Sequence, residues 1–285
     1  MTSTAGIHAV SLGTTYVEIA GGPIALWDAP AAGAETGPPT VFVAGYTGSK
    51  EDFSLIVDAV TSAGHRMVSL DLRGQHESPG SDDPADYTVD GLAGDVLAVL
   101  DALGLGPVHL IGHSFGGLVT RAAVLARPAV AASLTLMGSG PAGLTGPRIE
   151  RVAACEPLLD MMTPEQLFDL LATADPMAAT RDPELHAFLR RRWCASSVAG
   201  LRGMGRALLD ADDRVDQLRA LDVPLLVLHG ADDDAWSPTV QSEMAQRLGA
   251  AYAVIDHAAH SPAAESPTAT ADALVAFWRQ AGAST

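Results

Sequence analysis

Ser114 stands in the run Gly112-His113-Ser114-Phe115-Gly116, with Gly117 behind it. A serine between glycines can do chemistry when a sharp turn lifts its hydroxyl clear of the chain, toward a base. The flanks supply that turn. Pro107-Val108-His109-Leu110-Ile111 reads as a buried strand leading in, while Leu118 to Arg127 has helix-forming composition and stops at Pro128. A G-x-S-x-G between strand and helix is a nucleophile elbow, in which the flanking positions must be glycine and the serine backbone is strained.

A serine hydroxyl is a poor nucleophile at neutral pH without a positioned base, usually a histidine whose far ring nitrogen is held by a carboxylate. In an elbow protein the three follow in the order Ser, acid, His. Candidates stand in that order. Leu225-Leu226-Val227-Leu228 runs into His229-Gly230-Ala231-Asp232-Asp233-Asp234-Ala235-Trp236, and in open α/β sheets the reacting groups collect at the carboxyl ends of strands. Any of the three aspartates qualifies as orienter; taken alone, the run is a solvated acidic turn. The next strand leads into Asp256-His257-Ala258-Ala259-His260-Ser261-Pro262, where either histidine is a candidate base and His260 lies deeper in the loop. An oxyanion hole needs two preorganised N–H donors. One is the amide of Phe115; the other comes from the loop after Val43, at Tyr46, where Gly45 and Gly48 let the backbone approach a substrate.

These residues need a scaffold, and the apolar pattern describes one. Thr14 to Ala20 and Pro23 to Trp27 read as a hairpin across Gly21-Gly22, and Val41-Phe42-Val43 as a short buried strand. A helix is expected from Lys50 to Ala63 with Ser49 as N-cap, then a strand from Arg66 to Leu72, a Ser/Asp/Pro loop from Gln75 to Tyr87, and a helix from Val89 to Leu103. Ala132 to Met137 is the next strand. Strands alternating with helices, most of them apolar on both faces, predict a parallel sheet covered on both sides. The rhythm breaks at Gly138. Helical stretches follow at Arg148 to Met161, Pro164 to Ala174, Pro183 to Arg192 and Ser197 to Leu209, with Thr163-Pro164 and Asp182-Pro183 as helix starts. Alternation resumes at Val223, through a helix at Val240 to Leu248, a strand at Tyr252 to Ile255 and a closing helix at Pro267 to Gln280. The expected organisation is a core of residues 1–140 and 222–285 carrying an inserted helical cap, 141–221.

The 285 residues are 48% hydrophobic and carry 34 acidic against 17 basic side chains. Such a surface repels nucleic-acid phosphates and anionic membranes, so neither is an expected partner. No apolar run approaches the ~20 residues a membrane helix needs, and the N-terminus lacks a secretory pattern, so the expected location is cytoplasmic. Cys155 and Cys194 form no C-x-x-C; free thiols are expected, with a single disulfide between them as the alternative.

Taken together, Ala44-Gly45-Tyr46-Thr47-Gly48, Asp71-Leu72-Arg73-Gly74, Gly112 to Gly117, His229-Gly230-Ala231-Asp232-Asp233 and His260-Ser261-Pro262 resemble a capped, serine-nucleophile α/β-hydrolase of the esterase and lipase kind, over nearly the whole chain. The resemblance implies an eight-stranded, mostly parallel sheet flanked by helices, its second strand antiparallel, and a lid after the sixth strand. It places the acid three positions after the strand-end glycine, at Asp233. The family's usual proline, four residues after the acid, instead fits Asp234 with Pro238. Departures are Ala44 where the family often has histidine, and His76 where a second glycine is common. A serine nucleophile disfavours the dehalogenase and epoxide-hydrolase branches, which use aspartate.

The expected cap carries Leu158, Leu159, Met161, Met162, Leu167, Phe168, Leu171, Met177, Phe188, Trp193 and Met204. Met161, Phe168 and Trp193, with Trp236 beside the Asp turn, are candidate walls of an apolar pocket; packing between cap helices is the commoner use of such cap residues. Arg190-Arg191-Arg192 reads as a solvated helix face, with recognition of a substrate carboxylate as the alternative. The expected function is hydrolysis of small hydrophobic carboxylic esters, lactones or thioesters, with no cofactor and no metal. Ser114 attacks, His260 moves the proton, Asp233 orients the ring, and the Tyr46 and Phe115 amides hold the oxyanion. Alternatives on the same residues are a perhydrolase, an acyltransferase, a lyase or cyclase, or a receptor-like ligand-binding protein.

Overall fold

Val41, Phe42, Val43, Leu110, Ile111, Val227 and Leu228 are apolar residues that a strand can bury only if both of its faces are covered. In the computed structural model, which describes residues 12–175 and 181–283, they are covered on both. Among the described residues there are eight strands: β1 (Thr15–Ile19), β2 (Gly22–Ala29), β3 (Thr40–Val43), β4 (Met67–Leu70), β5 (Val108–His113), β6 (Ala131–Met137), β7 (Leu225–Gly230) and β8 (Ala251–Ile255). They lie in the order β1-β2-β4-β3-β5-β6-β7-β8. β2 runs antiparallel to both neighbours, and every pairing from β4 through β3 to β8 is parallel. This is the expected eight-stranded, mostly parallel sheet.

The helices are α1 (Val57–Ser62), α2 (Val89–Ala102), α3 (Phe115–Ala126), α4 (Ile149–Leu159), α5 (Pro164–Thr173), α6 (Pro183–Ala195), α7 (Val198–Asp210), α8 (Val215–Arg219), α9 (Pro238–Leu248), α10 (Pro262–Glu265) and α11 (Pro267–Ala283). One sheet face packs against Leu92, Val96 and Val99 of α2, Leu118 and Ala122 of α3, and Met244 and Leu248 of α9. The other packs against Val57 and Val60 of α1 and Leu274, Phe277 and Trp278 of α11. The helix expected from Lys50 to Ala63 is two pieces, a 3₁₀ stretch at Lys50–Ile56 followed by α1. Its first residue is pinned, since Asp71 Oδ1 accepts from the Lys50 amide at 2.7 Å and Asp71 Oδ2 from Lys50 Nζ at 3.0 Å.

Between β6 and β7 the chain leaves the sheet for α4 to α8, with no strand among the described residues. Met177 lies outside those residues. Thr163 and Asp182 cap α5 and α6 as their sequences imply, each accepting from backbone amides of the first turn. Cys155, Leu159, Leu167, Trp193 and Leu201 form a small core of this block's own. The buried Arg121 of α3 ties down both of its ends: Nη1 donates to Pro141 O at 2.5 Å and Nη2 to Asp212 O at 3.1 Å. Cys155 and Cys194 are separate free thiols.

Candidate active site

Ser114 occupies the turn from β5 into α3 with φ 55° and ψ −120°, a conformation a non-glycine residue holds only when its surroundings impose it. Close packing imposes it. A Cβ on Gly116 would strike the carbonyls of Val43 and Ala44, and one on Gly112 would strike Gly116 and Thr120, so α3 sits directly against the end of β3. The Ser114 amide donates to Met137 O at 2.8 Å, fastening the turn to β6.

The turn after β7 carries the three aspartates, and their environments separate them. Asp232 and Asp234 are exposed, and Asp234 pairs with Arg148 at 2.7 Å. Asp233 is buried, and its Oδ1 accepts from the ring of His260 at 2.9 Å and from the Ala235 amide at 2.9 Å. Gln241 of α9 donates to its Oδ2 at 3.0 Å. Burial pushes the Asp233 carboxyl up, but His260, the Ala235 amide and Gln241 outweigh that and hold it below its ordinary value. Pro238 is the first residue of α9, behind the cap Ser237, so its spacing marks the start of a helix rather than an acid.

His260 Nε2 lies 2.9 Å from Ser114 Oγ, in line to accept its proton while Nδ1–H points at Asp233. His257 is exposed and is not part of this chain of contacts. The His260 loop is anchored by a residue that sequence reasoning passed over. His113, inside the elbow motif itself, places Nε2 2.7 Å from the carbonyl of His260. Burial, and then the neighbouring His260, lower His113 to about 4, so its neutral ring donates Nε2–H to that carbonyl. Gln241 was missed as well; no local pattern distinguishes it from any polar helix residue.

The loop after β3 lies directly over the serine, and a Cβ on Gly45 would come within 2.9 Å of the Ser114 Cβ. Gln75 holds this loop, donating to Gly45 O at 2.7 Å while accepting from the Leu72 amide at 3.1 Å. His76 takes a left-handed conformation, φ 41°, which is what the glycine common at this position would do; the Ser196 hydroxyl accepts from its amide. The Tyr46 and Phe115 amides have no hydrogen-bond acceptor among the described residues. The Tyr46 hydroxyl donates to Leu201 O in α7, and burial raises its phenol well above the ordinary value.

A cavity of about 290 Å³ opens over Ser114 and His260. Its walls include Leu144, Val152, Cys155, Leu171, Trp193 and Leu208. Three of the four expected pocket walls lie elsewhere. Trp236 is fully buried beneath the site, its indole packed where only the glycine at Gly140 leaves room and its N–H donating to Gly143 O. Met161 is 80% exposed at the end of α4. Phe168 packs on Trp193 and His186 inside the helical block. Trp193 alone of the four lines the cavity, held by its N–H on Pro164 O. The triple-arginine run is likewise not one solvated face: Arg190 pairs outward with Asp169, while Arg192 turns into the cavity and pairs with Asp52.

A doubly covered sheet with a strained serine, a histidine and a buried aspartate gathered at the carboxyl ends of β5, β8 and β7 defines a protein built like an α/β-hydrolase. Residues 38–267 match the family model of the alpha/beta hydrolase fold, and the chain belongs to that family. Over 223 residues it is 30% identical to a Variovorax paradoxus protein assigned as the carbamate hydrolase RutD, covering 76% of this chain and 82% of that one. Among solved structures, the enol-lactonase of Burkholderia xenovorans superposes with a TM-score of 0.79 at 24% identity, covering 92% of this chain and 99% of that one. A thermophilic esterase of Thermogutta terrifontis gives 0.76 at 22%, covering 94% and 99%. No helix among the described residues is long and apolar enough to cross a membrane.

Proposed function

We propose that this chain hydrolyses carboxylic esters, or their lactone and thioester relatives, through an acyl-enzyme on Ser114. The observation that carries the reading is the unbroken hydrogen-bonded chain from Ser114 Oγ to His260 Nε2 and from His260 Nδ1 to Asp233, 2.9 Å at each link. His260 takes the hydroxyl proton as Ser114 attacks the carbonyl, and Asp233 stabilises the imidazolium that forms. The free Tyr46 and Phe115 amides receive the oxyanion, a contribution of about 3–4 kcal/mol per donor in comparable sites. His260 then protonates the leaving group, activates water, and clears the acyl group. Residues 141–221 act as a cap on a core of 1–140 and 222–285, closing the cavity with Val152, Leu171 and Trp193. An esterase and an enol-lactonase share this fold, in keeping with the reading.

The test pairs active-site labelling with turnover. A fluorophosphonate probe is expected to label the parent protein and not Ser114→Ala, whose hydrolysis of chromogenic esters falls roughly 10⁴–10⁶-fold. Equal labelling of the two proteins would sink the assignment.

A further inference from the structure

The cavity at Ser114 is positive in a chain that is strongly negative. The sequence holds 34 acidic and 17 basic side chains. Three of the basic ones, Arg148, Arg151 and Arg192, line this cavity, and the lining has one carboxylate among the described residues, Asp52. Asp52 is already engaged by Arg192, and Arg148 by Asp234, which lies outside the lining. Arg151 is exposed and has no ion-pair partner among the described residues. It therefore lines the cavity without a counter-charge of its own.

The placement works against stability. Arg148 is the N-cap of α4, and Arg151, Val152 and Cys155 follow it at helical spacing on the face that lines the cavity. A helix N-terminus is the positive end of its dipole, where cations are unfavourable and anions favourable. Glu150, the acidic residue of that turn, is exposed and outside the lining. Two arginines and the dipole thus add their fields at one point, and of the two only Arg148 has an ion pair in return. The wall also carries an apolar part, Leu144, Val152, Leu171, Trp193 and Leu208. A ligand matched to both has an aliphatic or ring body and an anionic end.

We infer that the cavity selects substrates bearing a carboxylate remote from the scissile carbonyl, with Arg151 as its direct partner and Arg148 and Arg192 as flanking cations. Monoesters of dicarboxylic acids and carboxylate-bearing lactones have this chemistry. The net negative field of the whole molecule repels such anions, so a local concentration of arginine is what admits them. The inference rests on the esterase reading for the reacting end of the substrate, but the anion subsite stands on its own residues.

Two measurements separate the subsite from the chemistry. The first compares kcat/KM for 4-nitrophenyl hydrogen adipate and its neutral near-isostere, 4-nitrophenyl 6-methylheptanoate, with spontaneous hydrolysis subtracted. The parent is expected to favour the anionic ester at least ~10-fold, and the preference to shrink as salt is raised from 20 mM to 500 mM. Arg151→Gln should lower that ratio roughly 10- to 100-fold, the worth of a charge-assisted hydrogen bond. Arg151→Glu should invert it, and Arg191→Gln, an exposed residue outside the cavity, should leave it alone. The second titrates monoethyl adipate and ethyl 6-methylheptanoate into Ser114→Ala by calorimetry, with and without Arg151→Gln. Tighter, Arg151-dependent binding of the monoanion supports the subsite even if neither ester is turned over, which would count against the esterase reading alone. Equal binding of the two ligands, or a parent ratio near one that salt does not change, overturns the inference.

Discussion

The elbow and its base can be found by pattern, but among the groups that hold the acid, behind His260 and the Ala235 amide, is a glutamine that no pattern marks. Gln241 is fully buried, and its amide donates to Asp233 Oδ2 at 3.0 Å and to Trp236 O at 2.8 Å. It touches neither Ser114 nor the cavity, so it acts through Asp233 as a positioning residue. Gln241→Leu keeps the volume and removes the donor, leaving one carboxylate oxygen without its buried partner. Hydrogen bonds to a carboxylate hold its pKa down, and Gln241 is among the groups that hold Asp233 low. The sign follows: an Asp233 carboxylate that has lost a donor is a more basic partner for His260, so the pair takes up its proton at a higher pH and activity is lost earlier as the solution is acidified. We expect kcat/KM to fall about tenfold at pH 8, corresponding to ~1.4 kcal/mol, with the acid limb displaced upward. A smaller rate with an unmoved acid limb would mean that Gln241 matters for packing only. Gln241→Glu should be worse than Gln241→Leu, because it sets a second carboxyl against the first.

At the scale of elements, the site depends on two loops being tied together by the chain's single lysine. Lys50 begins the helical stretch after β3 and is completely buried, with Nζ 3.0 Å from Asp71, 2.6 Å from Glu77 and 2.9 Å from Glu51. Burial disfavours its charge, yet the Asp71, Glu77 and Glu51 carboxylates outweigh that and lift the ammonium above its ordinary value. It joins the loop bearing Tyr46 to the loop after β4, the same pair bridged by Gln75. Lys50→Met would strand the fully buried Asp71 among like charges, at a cost of about 3–5 kcal/mol. In a chain of this size that lowers Tm by roughly 10 °C. Thermal unfolding measures it, and Lys50→Met/Asp71→Asn should recover part of the loss; an unchanged Tm in the single variant would remove the tie from the account. Glu51, His76 and Glu77 bring ligand atoms together, but the ammonium already lies among these carboxylates, so the cluster is an ion-pair site. This contrast explains what was legible in the sequence. Strand and helix order, the elbow and the His260 loop were readable because each is local: an apolar run, two glycines, a proline after a cap. The residue pattern alone leaves the three aspartates open, and only the family resemblance favours Asp233, because burial of Asp233 is decided by α9 and by the loop after β8. In the sequence Arg192, Lys50 and Gln75 read as ordinary surface, helix and loop residues, since Asp52, Asp71 and Gly45, which they hold, lie 140, 21 and 30 positions away along the chain. The failed pocket walls teach the same lesson, for hydrophobicity of Met161 and Trp236 says that they seek cover, not which cover they find.

For the whole molecule, acid stability brings together the net charge and a buried histidine far from the reacting groups. His109, the second residue of β5, stacks on Trp278 of α11 with ring centres 5.2 Å apart, and its Nδ1 lies 2.8 Å from Ser133 Oγ. Burial, with His65 beside it, lowers its pKa to about 4. The unfolded chain takes up this proton near ~6.5, the ordinary imidazole value. Above that pH both states are neutral at this position and it contributes nothing to the pH dependence. Between about 6.5 and 4 the unfolded state binds more protons than the folded one, so stability falls as pH falls, by about 2 kcal/mol at pH 4.5. The net charge of −17 works the other way, because protonating carboxylates relieves their mutual repulsion. A single pH–stability curve therefore mixes two opposed slopes, and only a difference isolates one. His109→Gln preserves a partner for Ser133 without the titrating ring, and leaves the carboxylates as they are. Urea unfolding of both proteins at pH 7.5 and 4.5 should show the parent losing about 2 kcal/mol more than the variant over that interval. If the two curves run parallel, the proton is being taken up by a folded state that opens around β5, and the packing of Trp278 over this strand is weaker than its burial implies.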